Sequence, residues 1–136
     1  MKPGWMVEEC ARFTLPSIPG SINQLYQISY RERRVYMHPT SRMWKTEMKM
    51  LVPRIKACTT DYLVKIDRTY FYPFFHKNGK LRKLDTHNMD KLLIDTISEK
   101  CGFDDSLVKF GETESYNDMK ERVEVVVSRV FEVKVS

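Results

Sequence analysis

At 136 residues, the chain has the length of one domain and enough of it to bury a true hydrophobic core. An apolar content of 42% and a mean hydropathy of −0.47 describe an ordinary globular protein, and no internal repeat or low-complexity tract interrupts it. A formal charge of +5 with a pI near 9.1 favours a polyanionic partner, although the distribution of that charge says more than its total.

Cys10, Cys58 and Cys101 are odd in number and widely spaced, with no CxxC or Cys/His finger spacing. A disulfide framework and a structural zinc site are therefore not expected, and the three read as reduced thiols. No stretch has the length of a signal peptide's apolar run or of a membrane span, so a cytoplasmic protein with no membrane partner is expected.

In chain order, residues 1–11 read as a loose lead-in. Arg12 to Leu15 alternates as a short strand does, and Pro16, Pro19 and Gly20 end it. Ser21 to Thr40 is polar and aromatic, with Arg31, Arg33 and Arg34 beside Tyr26, Tyr30 and Tyr36. Arg with Tyr suits contact with phosphates and bases, and a solvated loop accounts for the same composition. Ser41 to Ala57 has helical spacing, with Met43, Trp44, Met48, Leu51, Val52 and Ile55 on its buried side. Pro53 predicts a kink or an early stop there.

Asp61 to Phe75 is dense in Tyr, Phe, Val and Ile and reads as a strand. Pro73 marks an edge position or the strand's end. Asn78-Gly79 is a turn signal, followed by a basic run of Lys80, Arg82 and Lys83. A helix then starts at Asp85 or Thr86, either of which can cap it, and stops about four turns later at Gly102. At about 100° per residue, Met89, Leu92, Leu93, Ile94, Thr96, Ile97 and Cys101 share one arc. His87, Asn88, Lys91, Asp95, Ser98 and Glu99 share the other, with Asp90 and Lys100 as polar exceptions on the apolar arc.

Ser106 to Thr113 reads as a strand, Asn117-Asp118 as a turn, and Arg122 to Val135 as a strand with Val123, Val125, Val127, Phe131, Val133 and Val135 on one face. The last two strands are expected to form an antiparallel hairpin. The order β-α-β-α-β-β predicts a compact single α+β domain over residues 1–136, with a mixed sheet and two helices.

The acidic residues cluster in sequence around the second helix. Asp85 precedes it, and Asp104 and Asp105 follow its glycine stop. Phosphodiester hydrolysis needs an activated water and stabilisation of charge at phosphorus, and divalent ions held by carboxylates supply both. A helix of roughly 15 residues is about 22 Å long, so its ends meet only if the chain around Asp104 folds back. Taken singly, a helix cap explains Asp85, a polar turn explains Asp104-Asp105, and a surface ion pair explains Lys91 with Asp95. His76, Lys77, Lys80, Arg82 and Lys83 lie in the approach to Asp85, and a solvated basic hairpin is the alternative to contact with a phosphate backbone.

The order Asp85-x-His87-Asn88-x-x-Lys91-x-x-x-Asp95, then Gly102-Phe103-Asp104-Asp105, resembles the signature of the RusA family of Holliday-junction resolvases. The early Gly20-Ser21-Ile22-Asn23-x-x-Tyr26 is similar to that family's Ser-x-Asn-x-x-Tyr element, so the resemblance covers most of the chain. It implies a metal-dependent endonuclease that resolves branched DNA as a homodimer by paired nicks, with Mg²⁺ as cofactor. It implies Asp85, His87, Lys91 and Asp105 as catalytic, and Asp85, His87, Asp104 and Asp105 as metal ligands. Asn23, Tyr26, Arg31, Lys77, Lys80, Arg82, Lys83 and Asn88 are the expected DNA contacts. The sequence departs from the pattern at three places. His87 replaces the second acid of the first motif, Leu84 replaces a basic residue, and a basic residue usual in the strand after the Asp pair is absent, with Ser115 near that place. Imidazole suits Mn²⁺ better than Mg²⁺, so His87 implies either an altered metal preference or a degenerate site in a non-catalytic DNA-binding protein. Flaps, forks and RNA remain alternative substrates.

Overall fold

The computed structural model describes residues 4–19, 26–29, 34–37, 39–55 and 62–133. Its strands are β1 (Trp5–Leu15), β2 (Tyr26–Ser29), β3 (Arg34–Met37), β4 (Leu63–Tyr72), β5 (Val108–Phe110), β6 (Thr113–Asn117) and β7 (Arg122–Glu132), and its helices are α1 (Pro39–Leu51) and α2 (Thr86–Cys101). One turn of 3-10 helix at Asp105–Leu107 precedes β5. The fold is α+β with a mixed sheet and two helices, as the periodicities predict.

The main sheet runs β1-β7-β4-β5, with β6 on the same edge of β4 as β5. β1 and β4 both pair antiparallel with β7, whereas β5 and β6 run parallel to β4. Such a parallel return requires a crossover, and α2 lies in it. β2 and β3 form a separate antiparallel hairpin.

The two faces of the helices explain the core. Trp44 and Met48 of α1 and Met89, Leu92, Leu93 and Ile97 of α2 pack onto Leu15, Val64, Ile66, Tyr70, Val123, Val125 and Val127 of the sheet. Gly111 sits where β5 passes to β6, and a Cβ there would lie 2.0 Å from the Ile66 carbonyl oxygen. Only glycine permits that approach. It lets the Arg68 amide reach the Glu112 carbonyl at 2.9 Å and the Glu112 amide reach Asp67 Oδ1 at 3.0 Å.

Several expectations are corrected. The lead-in is a strand from Trp5 onward, paired along its length with β7. Its outer position leaves most of Trp5–Glu9 exposed, so no apolar alternation marks it, and a bulge between Glu9 and Ala11 shifts its register. The first helix begins two residues earlier, at Pro39, and ends at Leu51, short of Ala57. Proline suits a first helical turn and forbids continuation through Pro53. Met43 and Leu51 are exposed, while Val52 and Ile55 are buried from the segment after the helix. Pro73 follows the end of a central strand, since β4 has neighbours on both sides.

The expected C-terminal hairpin does not form. β6 and β7 flank β4 on opposite sides, and the turn between them crosses the end of β4. There the Asp118 amide donates to the Tyr72 carbonyl at 3.1 Å, and Asn117 Oδ1 accepts from the Phe74 amide at 2.8 Å. β4 takes the position between β6 and β7. The predicted strand over Ser106 to Thr113 is broken into the 3-10 turn, β5 and the start of β6. On β7, burial switches faces after Val127, so that Ser128 and Val130 are buried and Val133 is exposed. The switch falls opposite the β1 bulge.

Candidate active site and nucleic-acid interface

Asp85 adopts extended geometry before α2, and its Oδ1 accepts from the backbone amides of His87 at 3.0 Å and Asn88 at 3.3 Å. It is the helix cap. Asp85, His87 and Lys91 are exposed and Asn88 is half-buried. Helical spacing lines up Asn88, Lys91, Asp95 and Glu99 along one stripe, as the apolar periodicity predicts. At the far end of the stripe Glu99 receives Lys45 at 2.5 Å and Lys49 at 3.2 Å from α1. The hydrogen bond from Lys45 holds the Glu99 carboxyl below its ordinary pKa.

Gly102 ends α2 at φ 77°, and its amide donates to the Ser98 carbonyl at 2.8 Å. Phe103 is then buried, which turns the chain back onto the helix. Asp104 Oδ1 accepts from the Ser106 amide at 2.9 Å, and that bond lowers the Asp104 pKa. Asp104 and Asp105 are both exposed. The Asp95 carboxyl is pushed up, chiefly by burial; Lys45 opposes the shift, and the charge of Asp105 adds to it. The Asp95 stretch of α2 lies about 15 Å along the helix axis from Asp85. The charges of Lys45, Asp105 and Lys91 all act on Asp95, whereas Asp85 is held by the backbone amides of His87 and Asn88.

Asp90 is the residue that sequence reading missed. Its carboxylate accepts from Tyr70 at 2.6 Å, from Arg68 Nη2 at 3.1 Å and from Thr113 at 3.0 Å. One α2 side chain thus joins β4 and β6, next in sequence to Lys91. The signal was an acid on the apolar arc, with Arg68 and Tyr70 alternating on the strand it faces.

The basic approach is a hairpin. The His76 amide donates to the Lys80 carbonyl at 2.7 Å, Phe75 bridges Leu81, and Gly79 makes the turn at φ 85°. Lys77, Lys80 and Lys83 are exposed. Arg82 turns inward, donating to the Pro73 carbonyl at 3.2 Å and to Glu121 at 3.0 Å, and so fastens the hairpin to the turn before β7. Asn23 and Arg31 lie outside the described residues, and Tyr26 is described only as the first residue of β2.

Among the described residues no group of three or more His, Cys, Asp or Glu side chains is gathered closely enough to hold an ion. Mg²⁺ is commonly held by one or two carboxylates together with waters and substrate phosphates. Exposed carboxylates at Asp85, Asp104 and Asp105, each adjoining a second donor, fit that cation in kind. No helix among the described residues is long and apolar enough to cross a membrane.

A family model described as endodeoxyribonuclease RusA matches residues 19–128 of the chain. The match takes in the hairpin, all of α2, the acidic pair and most of β7. No curated protein matches the chain.

Proposed function

The chain belongs to the RusA family of endodeoxyribonucleases, and from that premise we propose a metal-dependent endonuclease that resolves four-way DNA junctions by paired nicks. The family acts on branched DNA junctions. The observation that carries the finer reading is α2, which begins at the Asp85 cap, presents His87, Asn88 and Lys91 on one side, and leads through Gly102 to Asp104 and Asp105.

Asp85 and His87 would hold a divalent cation at one end of this surface, and Asp104 and Asp105 at the other. Bound there, the cation would supply Lewis-acid stabilisation of charge at phosphorus. Lys91, one helical turn past His87 on the same face, would neutralise charge developing on the scissile phosphate. Lys77, Lys80 and Lys83 would seat the flanking phosphates, and Arg82 would act by holding their hairpin in place. Asn88 would orient the strand beside Lys91. Paired nicks require two such surfaces, so the working form is a two-fold homodimer.

One observation favours a second reading. His87 stands where the family pattern has an acid, and no three-donor group exists among the described residues. A protein that binds branched DNA without cutting it would show both. Incubation with labelled mobile junction, flap, fork, duplex and RNA substrates separates the readings. Symmetric paired nicks confined to the junction are expected. Tight junction binding with no cleavage in Mg²⁺ or Mn²⁺ would establish the second reading instead.

A further inference from the structure

We propose that the Phe75–Leu81 pair behind the turn of the 73–82 hairpin is an apolar wedge that takes unstacked bases at a DNA branch point, an inference that rests on the branched-DNA reading above. Phe75 and Leu81 face each other as a bridged pair across the hairpin, yet they are 51% and 63% exposed. Across an adjoining cleft of about 640 Å³, Met119 is 86% exposed, and Pro73 and Phe75 add to the apolar lining. Large apolar side chains gathered around one cleft mark an interaction surface, whereas scattered ones do not.

Charge identifies the occupant. His76 and Lys77 line the same cleft, and Lys80 and Lys83 are exposed beside it. The acidic side chains of the neighbouring turn are engaged internally: Glu121 with Arg82 at 3.0 Å, and Asp118 with Arg122 at 3.4 Å. The charge left to a partner is positive. A second copy of this chain fits poorly, because a two-fold interface would set the lysine rim against itself. Nucleic acid satisfies both features, with phosphates on the lysines and base faces on the apolar pair. Duplex DNA keeps its bases stacked, whereas apolar side chains insert where stacking is broken. The wedge therefore favours branched over continuous duplex.

The test uses the full chain, its Phe75→Ala/Leu81→Ala variant and its Met119→Ala variant. Each is titrated against a four-way junction with 2-aminopurine at the branch point and against a duplex of the same arm sequence. Thermal melts confirm folding, which is expected because the three side chains are exposed. The wedge predicts a fluorescence rise on junction binding that the double variant loses. It also predicts roughly tenfold weaker junction binding, the scale of one lost base stack, with unchanged duplex binding. Equal losses on junction and duplex, or no loss, would overturn the wedge and leave the endonuclease reading standing. Conversion of a dimer to a monomer by the double variant would overturn it in favour of a second copy. A wild-type chain that binds neither DNA would remove the branched-DNA reading, and the wedge with it.

Discussion

The Tyr70 hydroxyl on the central strand β4 donates to the Asp90 carboxylate of α2 at 2.6 Å. Arg68 completes an ion pair with the same carboxylate at 3.0 Å, and both of its members are largely buried. The helix that carries Asp85 and Lys91 is thus locked to the sheet by a polar bond set into an apolar interface. Burial and the neighbouring Asp90 charge push the Tyr70 pKa far up, so the phenol stays a donor at any working pH.

Replacing Asp90 with Ala leaves the Arg68 charge buried without its partner. A loss of about 3–5 kcal/mol is expected, as for other broken buried pairs. Tyr70→Phe removes one bond to a charged acceptor and is expected to cost about 1.5–3 kcal/mol. Urea denaturation of the three proteins checks both, and an Asp90→Ala loss no larger than that of Tyr70→Phe would show that Arg68 finds another partner.

Gly111→Ala places a methyl group 2.0 Å from the Ile66 carbonyl oxygen. Backbone cannot yield as a flexible side chain does, so the β5–β6 connection must move away from β4. Destabilisation of at least about 2–3 kcal/mol is expected, with the β6 amides losing hydrogen-exchange protection before those of β7.

Asp95 and Glu99 give pH dependences of opposite sign. The Asp95 pKa is raised above 3.8 by burial, so the folded state retains a proton that the unfolded chain has released in the window above 3.8. Stability from this group falls as pH rises through that window, then levels off. The Glu99 pKa is lowered from 4.5 by Lys45, so its contribution is present above 4.5 and lost as pH falls through the lowered value. Asp95→Asn is therefore expected to raise stability at neutral pH, and Glu99→Gln to lower it. Carbon-detected titration should also show the Asp95 pKa falling in Asp105→Asn and rising in Lys45→Ala. An Asp95 titration indifferent to Asp105 would contradict their proximity.

The parts of this molecule that were legible in sequence are those with a strong local cause. α2 was readable from its cap at Asp85, its apolar arc and its stop at Gly102, and the hairpin turn from Asn78-Gly79. Of β1 only Arg12–Leu15 was, because the outer part of the strand takes its register from β7 backbone bonds and needs no alternating side chains. The β6–β7 hairpin was misread because adjacency in sequence suggested pairing, while β4 took the place between them. At the site, Lys91, Asp104 and Asp105 were singled out by the order they share with the RusA family pattern, since each taken alone reads as an ion pair or a polar turn. Asp90 was passed over because its partners lie on other strands. The grouping of Asp105 with Asp95 and Lys45 depends on how the chain folds back after Phe103, which no spacing encodes.

His87→Asp restores the acid of the family pattern and adds a second carboxylate beside Asp85. Oxygen donors favour Mg²⁺ over the transition metals. The variant is expected to cleave junctions faster in Mg²⁺ and to lose any preference of the wild type for Mn²⁺. Unchanged rates and metal preference would show that His87 is not a ligand.

The most direct test of the central claim is cleavage of an end-labelled mobile four-way junction by the wild type and Asp105→Asn, in Mg²⁺ and then in Mn²⁺. Symmetric paired nicks are expected from the wild type in at least one metal and none from Asp105→Asn, whose junction binding persists. Equal cleavage by both proteins, or none by the wild type in either metal, would contradict that claim.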